Sequence, residues 1–221
     1  MGEEGSLATD WHQLLDRLEE GGRYSNPRLR RAFLQHPRWE FLPETLEGNR
    51  RAAAHDKPVA IGDNQTISAP HMVAILLDRA DPQPGDRCLE VGAGSGWLAV
   101  LAGELVGEDG HVIGVEIVPE LVELARDNVT QAGMDNVEIV MGDGGIGHPH
   151  QAPYDRIIVS AAAPEVPEPL LRQLATPGTL VIPVGPRAHQ QLVRVRKRSE
   201  GTEREQLGGC AFVPLVGEHG F

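Results

Sequence analysis

The residues with the most chemical potential in this chain lie in one stretch, Cys88-Leu89-Glu90-Val91-Gly92-Ala93-Gly94-Ser95-Gly96-Trp97. An apolar run ends in an acidic residue, and glycine then takes every second position. About twenty residues past Gly96, the spacing of a nucleotide-binding unit, a second apolar run, Val112-Ile113-Gly114-Val115, ends in Glu116. A short buried strand, a tight glycine turn, a helix and a second strand tipped with a carboxylate make the nucleotide-binding half of a Rossmann-like sheet. Glycines at 92, 94 and 96 let the backbone approach a ligand closely, and Glu116 can accept both hydroxyls of a ribose. Glycines also serve ordinary turns, so the turn gains its meaning from Glu116 at this distance.

The spacing narrows the ligand. Dinucleotide sites read G-x-G-x-x-G and set a pyrophosphate on the helix N-terminus, whereas this chain reads G-x-G-x-G behind Glu90. A carboxylate at that strand end repels a pyrophosphate and suits a cationic amino-acid ligand. The pattern resembles motif I of the S-adenosylmethionine-dependent methyltransferases, whose cofactor has no phosphate and carries a sulfonium. Gly142-Asp143-Gly144 follows a third apolar run, Val137–Met141, at the carboxyl end where open α/β sheets bind ligands. Asp143 can accept from an adenine amino group while Gly144 keeps the loop close to the ring; in isolation an Asp-Gly pair is a plain turn. A further polar cluster, Gly62-Asp63-Asn64-Gln65-Thr66-Ile67-Ser68-Ala69-Pro70-His71, precedes an apolar helix. Its Thr66 or Ser68 has an alternative role as the cap of the helix that starts at Pro70.

Regular elements must hold these groups in place. Helices are expected at Asp10–Gly21, from Asn26-Pro27 through Leu34, and at Pro70–Ala80, Trp97–Val106, Pro119–Ala132 and Pro167–Ala175. Strands are expected at Arg87–Val91, His111–Val115, Val137–Met141, Arg156–Ser160, Thr179–Val184, Gln191–Arg196 and Leu207–Val213. Strand–helix alternation implies a parallel sheet with helices on both faces. The last two strands have no helix between them and form an antiparallel hairpin at the sheet edge. From Arg38 to Ala69 the text is irregular, yet its Trp39, Phe41, Leu42, Val59, Ile61 and Ile67 argue for order, and such a segment in a compact domain is usually functional. The expected fold is α/β: a Rossmann-like sheet, mostly parallel with an antiparallel edge hairpin, plus an N-terminal helical extension. Residues 1–80 would supply helices and a substrate-side loop, packed on a core of residues 81–221 as one compact domain.

Composition bounds the function. A chain of 221 residues with 40% hydrophobic content supports one sizeable core. No apolar run reaches the eighteen or so residues of a membrane span, and Met1-Gly2-Glu3-Glu4-Gly5 lacks the basic and apolar parts of a signal peptide. The two cysteines, Cys88 and Cys210, suit free thiols in a reducing cytoplasm. Neither they nor the scattered His55, His71 and His148 have metal-ligand spacing, so no metal is expected. A net charge of −12 repels nucleic-acid backbones. Two local basic clusters, Arg28, Arg30, Arg31 and Arg38, and Arg194, Arg196, Lys197 and Arg198, read as solvated helix and strand faces.

Gln65-Thr66-Ile67-Ser68-Ala69-Pro70, with Phe41-Leu42-Pro43-Glu44 and Pro58-Val59-Ala60-Ile61-Gly62, is similar to the protein-L-isoaspartate (D-aspartate) O-methyltransferases. The resemblance continues through Glu90–Trp97, Gly142-Asp143-Gly144, Ala161-Ala162-Ala163-Pro164-Glu165-Val166-Pro167 and Phe212-Val213-Pro214-Leu215-Val216-Gly217. It implies that S-adenosylmethionine is the methyl donor and that the acceptor is the free α-carboxylate of L-isoaspartyl residues in damaged proteins and peptides. The methyl ester then collapses to a succinimide that reopens partly as normal aspartate. It assigns Gln65, Thr66, Ile67 and Ser68 to the substrate, with Ser68 catalytic, and Glu90, Gly92, Gly94, Gly96, Glu116, Asp143 and Gly144 to the cofactor. The chain departs from the family pattern at His55, at Asp63-Asn64, where glycines are usual, and at His148. Asp63 would bring a carboxylate near the loop that receives an anion.

The chemistry fits these residues. A carboxylate of ordinary pKa, about 4, is already ionised at pH 7, so the site needs no general base; it must position the reactants and exclude water. Ser160-Ala161-Ala162-Ala163-Pro164 stands where adenine amino-methyltransferases carry Asn/Asp-Pro-Pro-aromatic, and neither cysteine is placed for attack on cytosine. The alternatives are a same-fold methyltransferase for tRNA or a small metabolite, and a cofactor-binding protein without turnover. The intact glycines, Glu116, Asp143 and Ser68 argue against the last. Damaged proteins are the expected partners, and a monomer is favoured although no residue decides it.

Overall fold

Apolar spacing of three and four residues makes the N-terminal segment helical. The computed structural model describes residues 3–43, 45 and 50–221, with side chains from Ser6 onward; Met1, Gly2 and Glu44 lie outside the described residues. Helix α1 (Glu3–Glu20) starts earlier than the expected Asp10 and buries Leu7, Trp11, Leu14, Leu15 and Leu18 on one face. Helix α2 (Pro27–Gln35) opens on Asn26, whose side chain accepts from the Arg28 N–H, with Pro27 in the first turn where an N–H would be unpaired. The ring of Trp11 packs 5.6 Å from that of Trp39, 6.1 Å from Phe33 and 6.2 Å from Trp97. Trp11 Nε1 donates to Phe33 O and Trp97 Nε1 to His36 O, both at 2.9 Å, so the buried indoles keep partners.

The segment read as irregular contains regular structure. A 3-10 turn spans Arg38–Phe41, helix α3 spans Arg50–Ala53, and β1 (Val59–Gly62) pairs antiparallel with β2 (Gln65–Ile67). Asp63 and Asn64 form the turn of this hairpin, with φ of +48° and +58°, a handedness that matches strand twist and that Asp and Asn tolerate. Helix α4 (Pro70–Ala80) follows, ending on Asp81 in the left-handed region.

The remaining elements alternate as expected: β3 (Arg87–Val91), α5 (Trp97–Val106), β4 (His111–Glu116), α6 (Pro119–Gln131), β5 (Val137–Met141), β6 (Tyr154–Val159), α7 (Glu168–Gln173), β7 (Leu174–Val184), β8 (Gln190–Arg198) and β9 (Gly201–Cys210). They form a seven-stranded sheet in the order β5-β4-β3-β6-β7-β8-β9. Strands β3 to β7 are parallel and β8 and β9 antiparallel, the expected edge hairpin. Two strands differ most from expectation. Strand β7 begins at Leu174 rather than Thr179, which shortens the preceding helix. Strand β9 runs from Gly201 to Cys210, whereas the apolar text placed it at Leu207–Val213. The reason is charge: β9 is an exposed edge strand held by polar cross-strand pairs, among them Arg194–Glu205 at 2.5 Å and Arg196–Glu205 at 3.3 Å. The second basic cluster is therefore largely paired. From β3 the chain steps outward to β4 and β5, then returns to β6 on the other side of β3. The crevice at the carboxyl ends of β3, β4 and β6 is the switch point where such sheets bind ligands.

Candidate active site

Strand register brings the candidate groups to one edge. Val91 lies opposite Val115 and Val159, and Glu116 opposite Met141, so the turns after β3, β4, β5 and β6 open on the same side. A cavity there is lined by Gln65, Thr66, Ile67 and Ser68 on one side and by Glu90, Gly92, Gly94, Glu116 and Gly144 on the other. The structure thus brings together most residues singled out from the sequence. Gly96 and Asp143 stand outside the cavity wall. Gly96 has φ +81°, and a Cβ there would press on the Ala125 carbonyl at 3.1 Å, so it seats α5 against α6. Asp143 Oδ1 accepts from the Gly145 N–H at 2.8 Å and Oδ2 from the Glu218 N–H at 2.7 Å. Its carboxylate ties the loop after β5 to the last residues of the chain.

Glu116 organises the glycine turn. Its Oε2 accepts from Gly94 N at 2.8 Å, and its Oε1 from Ile117 N at 2.9 Å and Val118 N at 3.0 Å. Gly94 has φ +56°, and a Cβ there would meet Ile61 Cδ1 at 3.5 Å, so the β1–β2 hairpin leans directly on this turn. A side chain at Gly144 would collide with Val91 Cγ1. Ser160 Oγ, 2.6 Å from Gly92 O and 3.1 Å from Val91 O, donates into the same turn.

Glu90 is the electrostatic outlier. It is 2% exposed, and its Oε2 has no hydrogen-bond partner. Burial raises its pKa well above the ordinary carboxylate range, and the Glu116 charge pushes the same way against the Ala99 backbone N–H. A buried acid with an orphaned oxygen beside a second carboxylate calls for a cation or an N–H donor. An S-adenosyl amino acid answers that need with its sulfonium and ammonium groups. Its ribose diol matches Glu116, whose Oε2 retains a lone pair beyond the Gly94 bond. The residues present fit the cofactor.

The opposite wall carries hydroxyls and backbone. Helix α4 is capped by Ala69 with no side-chain cap bond, which removes the capping explanation for Ser68. Asp63 sits exposed at the hairpin tip and does not line the cavity, so its carboxylate stays clear of the residue 65–68 wall. His55 and His148 are also outside it: His148 N donates to Gln173 Oε1 and its carbonyl accepts from the Tyr154 hydroxyl. Among the described residues no cluster of three or more His, Cys, Asp or Glu could hold a metal.

Sequence reasoning missed several residues. Ser160 follows β6 at the ligand edge, and that position was its signal. Val213, Pro214, Leu215 and Val216 line the cavity because the chain folds back, with Ala162 N bonded to Val213 O and Leu215 N to Ala162 O; no local periodicity announces such a return. Arg38, read as a solvated basic residue, is fully buried. Arg28 and Arg30 of that cluster are also engaged, Arg28 with Leu105 O and Pro82 O, Arg30 with Asp16 and Glu19.

The family model for protein-L-isoaspartate(D-aspartate) O-methyltransferase matches residues 9–220. A protein-L-isoaspartate O-methyltransferase of Methanopyrus kandleri is 52% identical over 211 residues, covering 95% of this chain and 92% of the relative. One from Pyrococcus horikoshii is 46% identical over 223 residues, covering 100% and 99%. A crystal structure of a Plasmodium falciparum protein described as a protein-L-isoaspartate O-methyltransferase, in complex with S-adenosyl-L-homocysteine, superposes with a TM-score of 0.81 at 30% identity, covering 92% of this chain and 97% of that one.

Proposed function

This chain belongs to the protein-L-isoaspartate(D-aspartate) O-methyltransferase family, and from that premise we propose that it methylates the free α-carboxylate of L-isoaspartyl residues in damaged proteins and peptides, with S-adenosylmethionine as donor. The observation that carries this reading is the cavity itself, in which two buried carboxylates face a wall of hydroxyls and backbone. Bound there, the cofactor supplies an electrophilic methyl group on a positively charged sulfur.

In this reading Glu116 holds the ribose, Glu90 receives the cationic part of the ligand, and Gly92, Gly94 and Gly144 give the backbone its close approach. Thr66, Ser68 and the backbone of residues 65–68 hold the acceptor carboxylate. Ile67, Val213 and Leu215 on the cavity wall keep water from it. No residue has to take a proton, because the acceptor is ionised before it binds. Residues 1–80 then supply the hydroxyls and backbone that hold the acceptor, and residues 81–221 supply the cofactor site together with Val213 and Leu215 beside the acceptor. Asp143 serves the cofactor indirectly, through the loop it braces. Residues of one chain line both walls of the cavity, which supports a monomer as the working unit. Among the described residues no helix is long and apolar enough to cross a membrane. Cys88 and Cys210 are both free thiols, which supports a reducing, cytoplasmic setting.

The test compares an isoaspartyl peptide with its ordinary aspartyl twin, which differs only in which carboxylate is free. Methyl transfer to the first and not the second is expected; equal transfer to both overturns the repair reading.

A further inference from the structure

Arg38 is 0% exposed, yet its guanidinium meets no carboxylate among the described residues. Nε donates to Ala53 O at 2.9 Å. Nη1 donates to Lys57 O at 2.7 Å and Ser68 O at 2.9 Å, and Nη2 to Ala52 O at 3.1 Å and His55 O at 2.7 Å. A guanidinium has five N–H groups, and here each one meets a backbone carbonyl. Asp56, whose charge reaches Arg38, is engaged elsewhere: its Oδ1 lies 3.0 Å from His71 N and 2.8 Å from His71 Nδ1. Burial lowers the Arg38 pKa to about 10, so it remains a cation at neutral pH.

Its position relates this charge to the site. The Ser68 carbonyl it holds belongs to a residue of the cavity wall, and its Cζ lies 5.9 Å from the centroid of Trp97, another wall residue. Three stretches that share no regular element, the 3-10 turn, residues 52–57 and Ser68, meet on this one side chain. Fixing the Ser68 peptide fixes the Cα–Cβ direction from which its hydroxyl projects. A buried cation whose partners are dipoles rather than anions keeps its attraction for a charge arriving nearby.

We propose that Arg38 is a positioning residue for the acceptor, locking the Ser68 peptide into the cavity wall and biasing that wall toward an anion. The inference rests on the repair reading above. Lysine carries the same charge but offers three N–H groups from one point, and it cannot span five carbonyls.

The experiment uses Arg38→Lys in the full chain, with folding checked by circular dichroism below its melting temperature. The expected result is a KM for the isoaspartyl peptide raised about tenfold or more, a smaller change in kcat, and calorimetric S-adenosylmethionine affinity within about twofold of wild type. A folded variant with unchanged KM, or one losing cofactor affinity by the same factor, overturns the proposal. Should Arg38→Lys not fold, Asp56→Asn decides, since the amide keeps an acceptor for the His71 N–H and removes the opposing charge. Its peptide KM should fall about two- to threefold with cofactor affinity unchanged; a KM that stays or rises overturns the proposal. A wild type without turnover on the isoaspartyl peptide defeats the repair reading itself, whereas a working wild type with indifferent variants defeats only the role of Arg38.

Discussion

The two walls of the cavity are built by different means, one lined by acids and the other backed by a cation. On the sheet side, Glu90 and Glu116 stand on β3 and β4 in fixed register, and the glycine turn between them is bonded at once to Glu116 and Ser160. On the loop side, a three-residue strand and the residue after it form the wall, and the ladder of β1 and β2 is too short to fix them alone. There a buried arginine binds five carbonyls instead. Where the sheet supplies precision through its repeating backbone, the loop needs a dedicated side chain. The charges follow the proposed tenants: two acids face the cationic donor, and a cation backs the wall that receives an anion.

The largest expected effect breaks the sheet wall. Gly94→Val puts a branched side chain at φ +56°, a region closed to such residues, and disturbs the N–H that Glu116 holds. S-adenosylmethionine affinity should fall about a hundredfold or more by calorimetry, with far-UV circular dichroism near wild type. Tight binding by that variant would separate the glycine turn from the cofactor.

A smaller change isolates the loop wall. An oriented hydroxyl donor to an anion contributes about 1.5–3 kcal/mol, so Ser68→Ala should lower kcat/KM for the isoaspartyl peptide about ten- to a hundredfold. Cofactor affinity and melting temperature should hold, because the Ser68 side chain caps no helix. A drop in cofactor affinity equal to the loss of rate would show that the walls are not separable in function.

The subtlest test sharpens the contrast through pH. The folded pKa of Glu90 is raised from 4.5 by burial first and by Glu116 second. Below pH 4.5 the group is protonated in both folded and unfolded chains and costs nothing. As pH rises from there, the unfolded chain ionises while the folded one resists, so stability is lost until the folded pKa is passed. Glu90→Gln removes that loss. Without cofactor, its melting temperature should exceed wild type by a few degrees, the size of a shift on the order of 1 kcal/mol, and the gap should widen between pH 5 and pH 7. With saturating cofactor the order should reverse. A gap that does not change with pH would mean that Glu90 ionises freely in the cavity.

The sheet wall was legible because its devices are local in sequence. Glycines at alternate positions, an acid at each strand end and Pro119 at a helix start all declare themselves within a few residues. The loop wall was legible only in part. Asp63-Asn64 between Val59-Ala60-Ile61 and Gln65-Thr66-Ile67 carries a hairpin signature, but strands this short lack enough alternation to be counted. Arg38 gave no warning, since its type and neighbours match those of a surface residue, and only the convergence of distant carbonyls makes burial tolerable. The place of Glu116 at the strand end was legible from its spacing, whereas the brace made by Asp143 was not, because its second partner, Glu218, lies at the far end of the chain.

All three tryptophans of this chain, Trp11, Trp39 and Trp97, gather around one point, with Trp11 in contact with both others. Indoles at such separations exchange excitation, so the protein's ultraviolet emission is expected to behave as a single coupled source instead of three independent lamps. That source straddles the seam between α1 and α5, and Trp97 also borders the cavity. The intrinsic fluorescence of the unlabelled protein is therefore expected to respond to docking of the N-terminal helix and to filling of the cavity from one place. Either event can be followed in real time without attaching a dye.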